Sequence, residues 1–362
     1  MSARRFWLAV PAVLAALVFG ALVARAQTGT ITTVAGGGPN NLPKLSANLN
    51  FPTGVARDQG GNVYVADQDG NRVYKVDGTG KLTIFAGVTG GFGGDGGPAV
   101  SALLDRPAGV FVDGLGNVFI SDTGNGLIRR VDAASLNITT VAGNFQGTVC
   151  PGASNSIGDG CPATSATLSE PHGLFVDAAG DIFVADENNS VIREVVAATG
   201  MIQTVAGIPG SFGYNGDGIP ATSAQLEFPE GVYVDGSGNI FIADTFNNAV
   251  REVSGGIIRL VAGNPPAGGS VGDGGAATSA ELDGPFAVFV DGAGNIFISD
   301  AFNNKVREVG GPASPGAGII QTVAGNGLLG SIGDGGPATS AELGRQDGIL
   351  VDGSGNLFIA DA

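Results

Sequence analysis

The sequence has one histidine, one tryptophan, two cysteines and two methionines among 362 residues, and only 14% of it is charged. Each scarcity removes a class of function. One histidine, His172, cannot build a histidine-rich zinc site. Trp7 sits in an apolar N-terminal stretch, so the chain beyond it has no tryptophan on which to stack a sugar. Basic residues are also short, with 17 Lys and Arg against 33 Asp and Glu. Three of those arginines (Arg4, Arg5, Arg25) lie in the first 26 residues, leaving 14 basic against 33 acidic beyond them, a balance of −19. Such a chain repels phosphate backbones and anionic lipid, which excludes nucleic acid as a partner and favours cations and basic ligands. Neither Gly-x-Ser-x-Gly nor Gly-x-x-x-x-Gly-Lys occurs.

The N-terminus has the build of an export leader over residues 1–26. Arg4 and Arg5 precede an apolar run from Phe6 to Val23, and Ala24-Arg25-Ala26 places small residues at both cleavage-site positions. Pro11 and Gly20 interrupt the run, which argues for cleavage before Gln27 over a retained anchor. The expectation is a secreted or periplasmic protein with no membrane insertion after cleavage. Cys150 and Cys161 stand in one loop that holds no histidine, so an oxidising compartment points to a disulfide, the alternative being two free thiols.

What the chain has in excess is glycine, 64 residues, beside 18 prolines. The glycines do not fall at every third position, which excludes collagen, and 43% hydrophobic residues in short β-branched and aromatic runs exclude disorder. They mark repeats instead. A phrase ending in Ala-Gly starts at Ile31, Leu82, Ile138, Ile202, Ile258 and Ile320, with its glycines 51, 56, 64, 56 and 62 residues apart. In step with it run Pro-x-Gly and Val-Asp-Gly-x-Gly-Asn-hydrophobic-Phe-Ile-Ala/Ser-Asp, clearest at Val112 to Asp122, Val234 to Asp244 and Val290 to Asp300. A Gly-Asp-Gly insertion follows each Ala-Gly except the first. Each unit holds four strand-length runs, the first two joined by a glycine hairpin, which predicts an all-β fold of four-stranded antiparallel blades.

On these motifs the sequence resembles the NHL-repeat family, and more narrowly the exported bacterial NHL-repeat proteins whose blades carry Gly-Asp-Gly-Gly-Pro-Ala insertions. The resemblance spans roughly residues 30–362 and implies a six-bladed β-propeller over 27–362. The isolated run at Ile31–Ala35 and the two strand-like runs ending at Ala360-Asp361 suggest a last blade shared between the termini. It lacks a third strand, so the chain is expected to continue past Ala362.

Three sets of residues are candidates for chemistry. The Asp ending the second strand and the Arg seven positions later recur as Asp122/Arg129, Asp186/Arg193, Asp244/Arg251 and Asp300/Arg307, which suits a structural ion pair in each blade. The first copy has Tyr74 in place of the arginine. The Gly-Asp-Gly aspartates (Asp95, Asp159, Asp217, Asp273, Asp334) offer oxygen to a divalent cation such as calcium, but one carboxylate per loop falls short of six to eight ligands, and an Asp capping its own turn is the simpler account. The x of Pro-x-Gly should ring the channel mouth as Thr53, Ala108, His172, Glu230, Phe286 and Asp347. This ring varies where the framework repeats, so His172, Glu230 and Asp347 are the candidate acid/base or cation-binding group. The expected function is a monomeric, non-catalytic, exported binding or scaffolding module for a protein or small ligand, without a cofactor. The alternative is a metal-dependent lactonase- or lyase-like enzyme working at the channel mouth.

Overall fold

The computed structural model describes residues 29–35 and 49–362, so the leader at 1–26 lies outside the described residues. The described chain is an all-β propeller. It contains five sheets with four main antiparallel strands each, ordered from channel to rim as in the sequence, and a sixth sheet of two strands, Gln346–Val351 and Leu357–Asp361. The fourth sheet gains a two-residue strand, Ile219–Pro220, on its outer edge. The core lies between neighbouring sheets: Ala66 and Val73 of the first pack with Val110, Ile120 and Ile138 of the second. Side chains from both faces are thus buried, as the near-continuous apolar runs require. No described helix is long and apolar enough to cross a membrane.

The repeated glycines are places where backbones meet. The six innermost strands surround one channel, and a Cβ on Gly54 would stand 2.4 Å from Ala108 O, one on Gly109 2.3 Å from His172 O, and one on Gly348 2.4 Å from Thr53 O. Real Cβ atoms do not approach oxygen so closely, so Pro-x-Gly keeps its glycine to let adjacent inner strands touch. The Asp-Gly-x-Gly-Asn hairpins close through their ends. Asp113 Oδ1 accepts from the Leu115 and Asn117 backbone N–H groups while Oδ2 accepts from Asn117 Nδ2, and Asp291 with Asn295 repeats the pattern.

The insertions reach further than the sequence suggests. They leave the outermost strand of one sheet and lie along the outermost strand of the next, where Gly96 N–H bonds Ile138 O, Gly160 bonds Ile202 and Gly274 bonds Ile320. Gly335 N–H makes the same bond to Ile31 O, and Thr33 N–H bonds Asp334 as Thr140 N–H bonds Asp95. The N-terminal segment therefore stands beside the sixth sheet where an outermost strand begins. Within 29–35 the ladder is limited to a single bridge, Thr30 to Pro337.

The Asp–Arg pairs form as hydrogen-bonded contacts at 2.9–3.3 Å, with both side chains wholly buried in all four sheets. Each arginine also holds the aspartate of its own insertion: Asp95 to Arg129 at 2.5 Å, Asp159 to Arg193 at 2.7 Å, Asp217 to Arg251 at 3.0 Å and Asp273 to Arg307 at 2.6 Å. These four carboxylates are neither gathered for calcium nor folded onto their own turns, because a buried guanidinium with several donors claims them first. Asp334 takes the Thr33 amide. The Cys150–Cys161 disulfide is formed, with Cα atoms 5.9 Å apart, and braces the insertion of the third sheet alone.

Candidate functional site

The six Pro-x-Gly residues line the channel, a cavity of about 350 Å³. Thr53 spends its hydroxyl on Ala108 O at 2.9 Å, and Ala108 is buried. His172, Glu230 and Phe286 also line a second cavity of about 380 Å³ at the mouth, with Glu170, Glu187, Arg106, Arg345 and a rim of phenylalanines. Asp347 turns aside to accept from Arg345 Nε at 2.6 Å. Of the expected group, His172 and Glu230 come together, Nδ1 to Oε2 3.7 Å, while Asp347 joins them only through Arg345, whose Nη2 is 3.8 Å from Glu230.

The nearest carboxylate to the histidine is Glu187, Oε2 3.1 Å from His172 Nε2. Glu170 completes a trio in which one ligand atom from each residue lies within 4.8 Å of the others. Glu170 and Arg106 occupy the slot just before the proline, both with φ of 49°, and pair across the mouth at 3.5 Å. Side chains from the neighbouring sheet support this left-handed backbone; Arg106 N–H, for example, bonds Asn71 Oδ1 at 2.8 Å. Glu187 occupies the slot after the second-strand aspartate. Thr123 and Thr245 fill that slot in two other sheets, and each tethers the proline carbonyl of the next inner strand.

Both slots vary as much as the Pro-x-Gly ring. The slot before the proline runs Phe51, Arg106, Glu170, Phe228, Gly284, Arg345, and the slot after the aspartate runs Gln68, Thr123, Glu187, Thr245, Ala301. Reading one variable slot per blade missed them; comparing every slot would have found Glu170 and Glu187.

Burial sets the charge of this group. It pushes Glu187 up to about 7, aided by Glu170, and Asp347 up to about 6. Glu230 is raised well above the usual carboxylate range by burial, then by Glu187. His172 is pushed down to about 4 by burial and by the charges of Arg345 and Arg106. At neutral pH the imidazole is therefore uncharged, and its contacts with Glu187 and Glu230 are not ion pairs. The Arg345 guanidinium stands over the Phe286 ring, 4.2 Å from its centroid, and 5.4 Å from that of Phe51. The mouth so offers a neutral imidazole, protonatable carboxyls, two guanidiniums and aromatic walls.

Sequence comparison matches the NHL-repeat family over residues 49–75 and the teneurin NHL domain over 134–212. The chain carries NHL-repeat sequence on a propeller that fits that family. The NHL propeller is 25% identical over 89% of its length to the chloroplastic protein Suppressor of Quenching 1 of Arabidopsis thaliana, and 26% identical over 68% to mouse teneurin-1. It spans only 30% and 10% of those two proteins. Among solved structures, an auxiliary nutrient binding protein of Bacteroides thetaiotaomicron superposes with a TM-score of 0.63, 13% identity, and coverage of 91% of this chain and 73% of that one. A gluconolactonase of Xanthomonas campestris gives 0.53, 14%, 86% and 84%. At such identities the likeness is one of fold.

Proposed function

We propose that this NHL propeller is an exported binding module that takes its ligand at the channel mouth. The observation that carries the reading is where the repeats differ. The framework is copied from sheet to sheet, while the slots that vary bring Glu170, His172, Glu187, Glu230, Arg106 and Arg345 into one mouth. Selection for a scaffold alone gives no reason for that concentration. Five phenylalanines (Phe92, Phe145, Phe212, Phe246, Phe302) stand 40–57% exposed on loops leading away from the same end, a surface suited to contact with a ligand or partner protein. The leader and the disulfide support export. Six inner strands and the Ile31 bond beside the sixth sheet support a count of six blades.

The second reading is a metal-dependent lactonase- or lyase-like enzyme, favoured by the imidazole beside two carboxylates. The nearby folds, a gluconolactonase and a nutrient binding protein, are compatible with either. One experiment separates them. Purified protein is screened for thermal stabilisation by small carboxylates, amines, lactones and basic peptides, and each hit is incubated and recovered. The binding reading expects hits that Phe286→Ala and Arg345→Ala abolish and that are recovered unchanged. Turnover of a hit replaces it with the enzyme reading, and no stabilising hit that depends on these residues defeats the mouth as the ligand seat.

A further inference from the structure

We infer that Glu170, His172 and Glu187 form a site for one divalent transition-metal cation, of the Mn²⁺ or Zn²⁺ class. The inference deepens the binding reading of the same mouth and rests on it. His172 Nε2 and Glu187 Oε2 are 3.1 Å apart, which is the separation of two ligands at right angles on bonds of about 2.2 Å. A Glu170 oxygen lies within 4.8 Å of both, so a small rotation of this partly exposed side chain would bring it onto the same ion. One imidazole with two carboxylates suits a borderline cation better than calcium or magnesium, which prefer oxygen throughout.

Independent observations point to a ligand here. Glu187 Oε2 is buried and accepts no hydrogen bond, although the imidazole stands beside it. A buried carboxylate oxygen without a partner is costly, and a cation would satisfy it. Glu230 is 91% buried, and the two basic side chains it faces, His172 Nδ1 at 3.7 Å and Arg345 Nη2 at 3.8 Å, stand beyond hydrogen-bond distance. It faces the imidazole from the side opposite Nε2. That is the place of the carboxylate that orients a metal-bound histidine, holding the proton on Nδ1 and leaving Nε2 free to ligate. When ionised, the four carboxyls of the mouth (Glu170, Glu187, Glu230, Asp347) exceed its two guanidiniums (Arg106, Arg345) by two charges, which a bound dication would offset.

The test is titration of chelator-treated full chain with MnCl₂, followed by calorimetry and by electron spin echo of the bound ion. The expected result is one Mn²⁺ per chain, displaced by Zn²⁺, with an imidazole nitrogen in its spectrum. Glu187→Gln and His172→Ala should each weaken binding at least tenfold, and Glu230→Gln about tenfold through the orientation of the ring. Asp273→Asn, in a distant carboxylate, should leave it unchanged, and circular dichroism reports whether each variant is folded. Absence of saturable binding to folded wild-type protein overturns the proposal. So does a bound ion without a nitrogen signal, or one that His172→Ala leaves in place. No organic ligand enters this experiment, so its failure leaves the binding reading to stand or fall on the screen described for it.

Discussion

The buried arginine clamps and the channel mouth use the same chemistry, carboxylates beside guanidiniums under low exposure, to opposite ends. In the clamps every aspartate has a donor. Arg251 reaches Asp244 and the Gln225 carbonyl through Nη1, Asp217 through Nε, and Asp217 and the Gly216 carbonyl through Nη2. Asp244 also accepts from the Glu227 amide and from Asn247. In the mouth, Glu187 Oε2 and Asp347 Oδ2 are buried with no hydrogen-bond partner. The clamp recurs in four sheets, whereas the mouth occurs once. Arg129 and Arg193 each leave a buried Nε unpartnered, so the regions differ in their carboxylates. A repeated motif whose carboxylate oxygens are all satisfied is scaffold, and a unique one with carboxylate oxygens left open is available for a ligand.

The strongest way to break the comparison is to empty a clamp. Arg251→Met leaves the wholly buried Asp244 and the partly exposed Asp217 without their shared cation. Its cost should be about 3–5 kcal/mol, read as a fall in the denaturation midpoint. Arg307→Met should cost a similar amount, because Arg307 holds Asp300 and Asp273 in the same geometry. If either variant is as stable as wild type, the clamps are ornament and the contrast with the mouth fails. Next in size is the disulfide, a brace peculiar to one insertion. Replacing Cys150 and Cys161 by serine should cost about 2–3 kcal/mol, since the bond closes a short loop, and the loss should vanish when wild type is melted under reducing conditions.

How much of this was legible follows from distance along the chain. The Asp–Arg pairs lie seven residues apart on a hairpin, so strand pairing alone brings them together. Their second aspartate lies 34 residues away across an insertion with no regular strand to carry register. A signal for it existed: the first copy lacks both the Gly-Asp-Gly and the arginine, having Tyr74 there, and the two losses go together because each group needs the other. Glycine placement predicted the turns and the inner ring, because a glycine required by close approach leaves its mark at every repeat. The mouth was half legible. His172 and Glu230 share one slot, but Glu170 and Glu187 enter from two others of His172's own sheet, where the pairing of Pro171 with Asp186 sets them side by side. The closure of the ring adds Glu230 and Arg345 from other sheets.

A smaller effect sharpens the mouth's side of the comparison. Burial raises Asp347 from 3.8 to about 6. Its carboxyl therefore favours the fold most fully below pH 4, where it is protonated in both states. That advantage is lost as pH rises through 6, because the unfolded chain ionises first. An asparagine at that position cannot titrate, so the stability of wild type relative to Asp347→Asn should fall by roughly 2 kcal/mol between pH 4 and 7.5. Denaturant titration at four pH values checks it. A difference that grows with pH instead would mean that Arg345 satisfies Asp347 as fully as the clamp arginines satisfy theirs, and the two regions would no longer differ in kind.

The smallest expected change in stability belongs to the rim. Phe246 is 51% exposed, lines the mouth cavity and meets Phe228 edge-on with centroids 5.4 Å apart. Half of its ring already faces water, so Phe246→Ser should alter stability by no more than about 1 kcal/mol. The same change should remove a wall from any ligand seated against Glu187 and Phe286, weakening a hit from the thermal screen about tenfold. Arg251→Met should do the reverse, lowering stability while leaving affinity unchanged in the fraction that remains folded. Measured together on one ligand, the two variants separate what holds the propeller from what the propeller holds. A Phe246→Ser protein that keeps full affinity would move the contact surface off the mouth and onto the outer insertion loops, where Phe92 stacks on Phe145 at 4.8 Å.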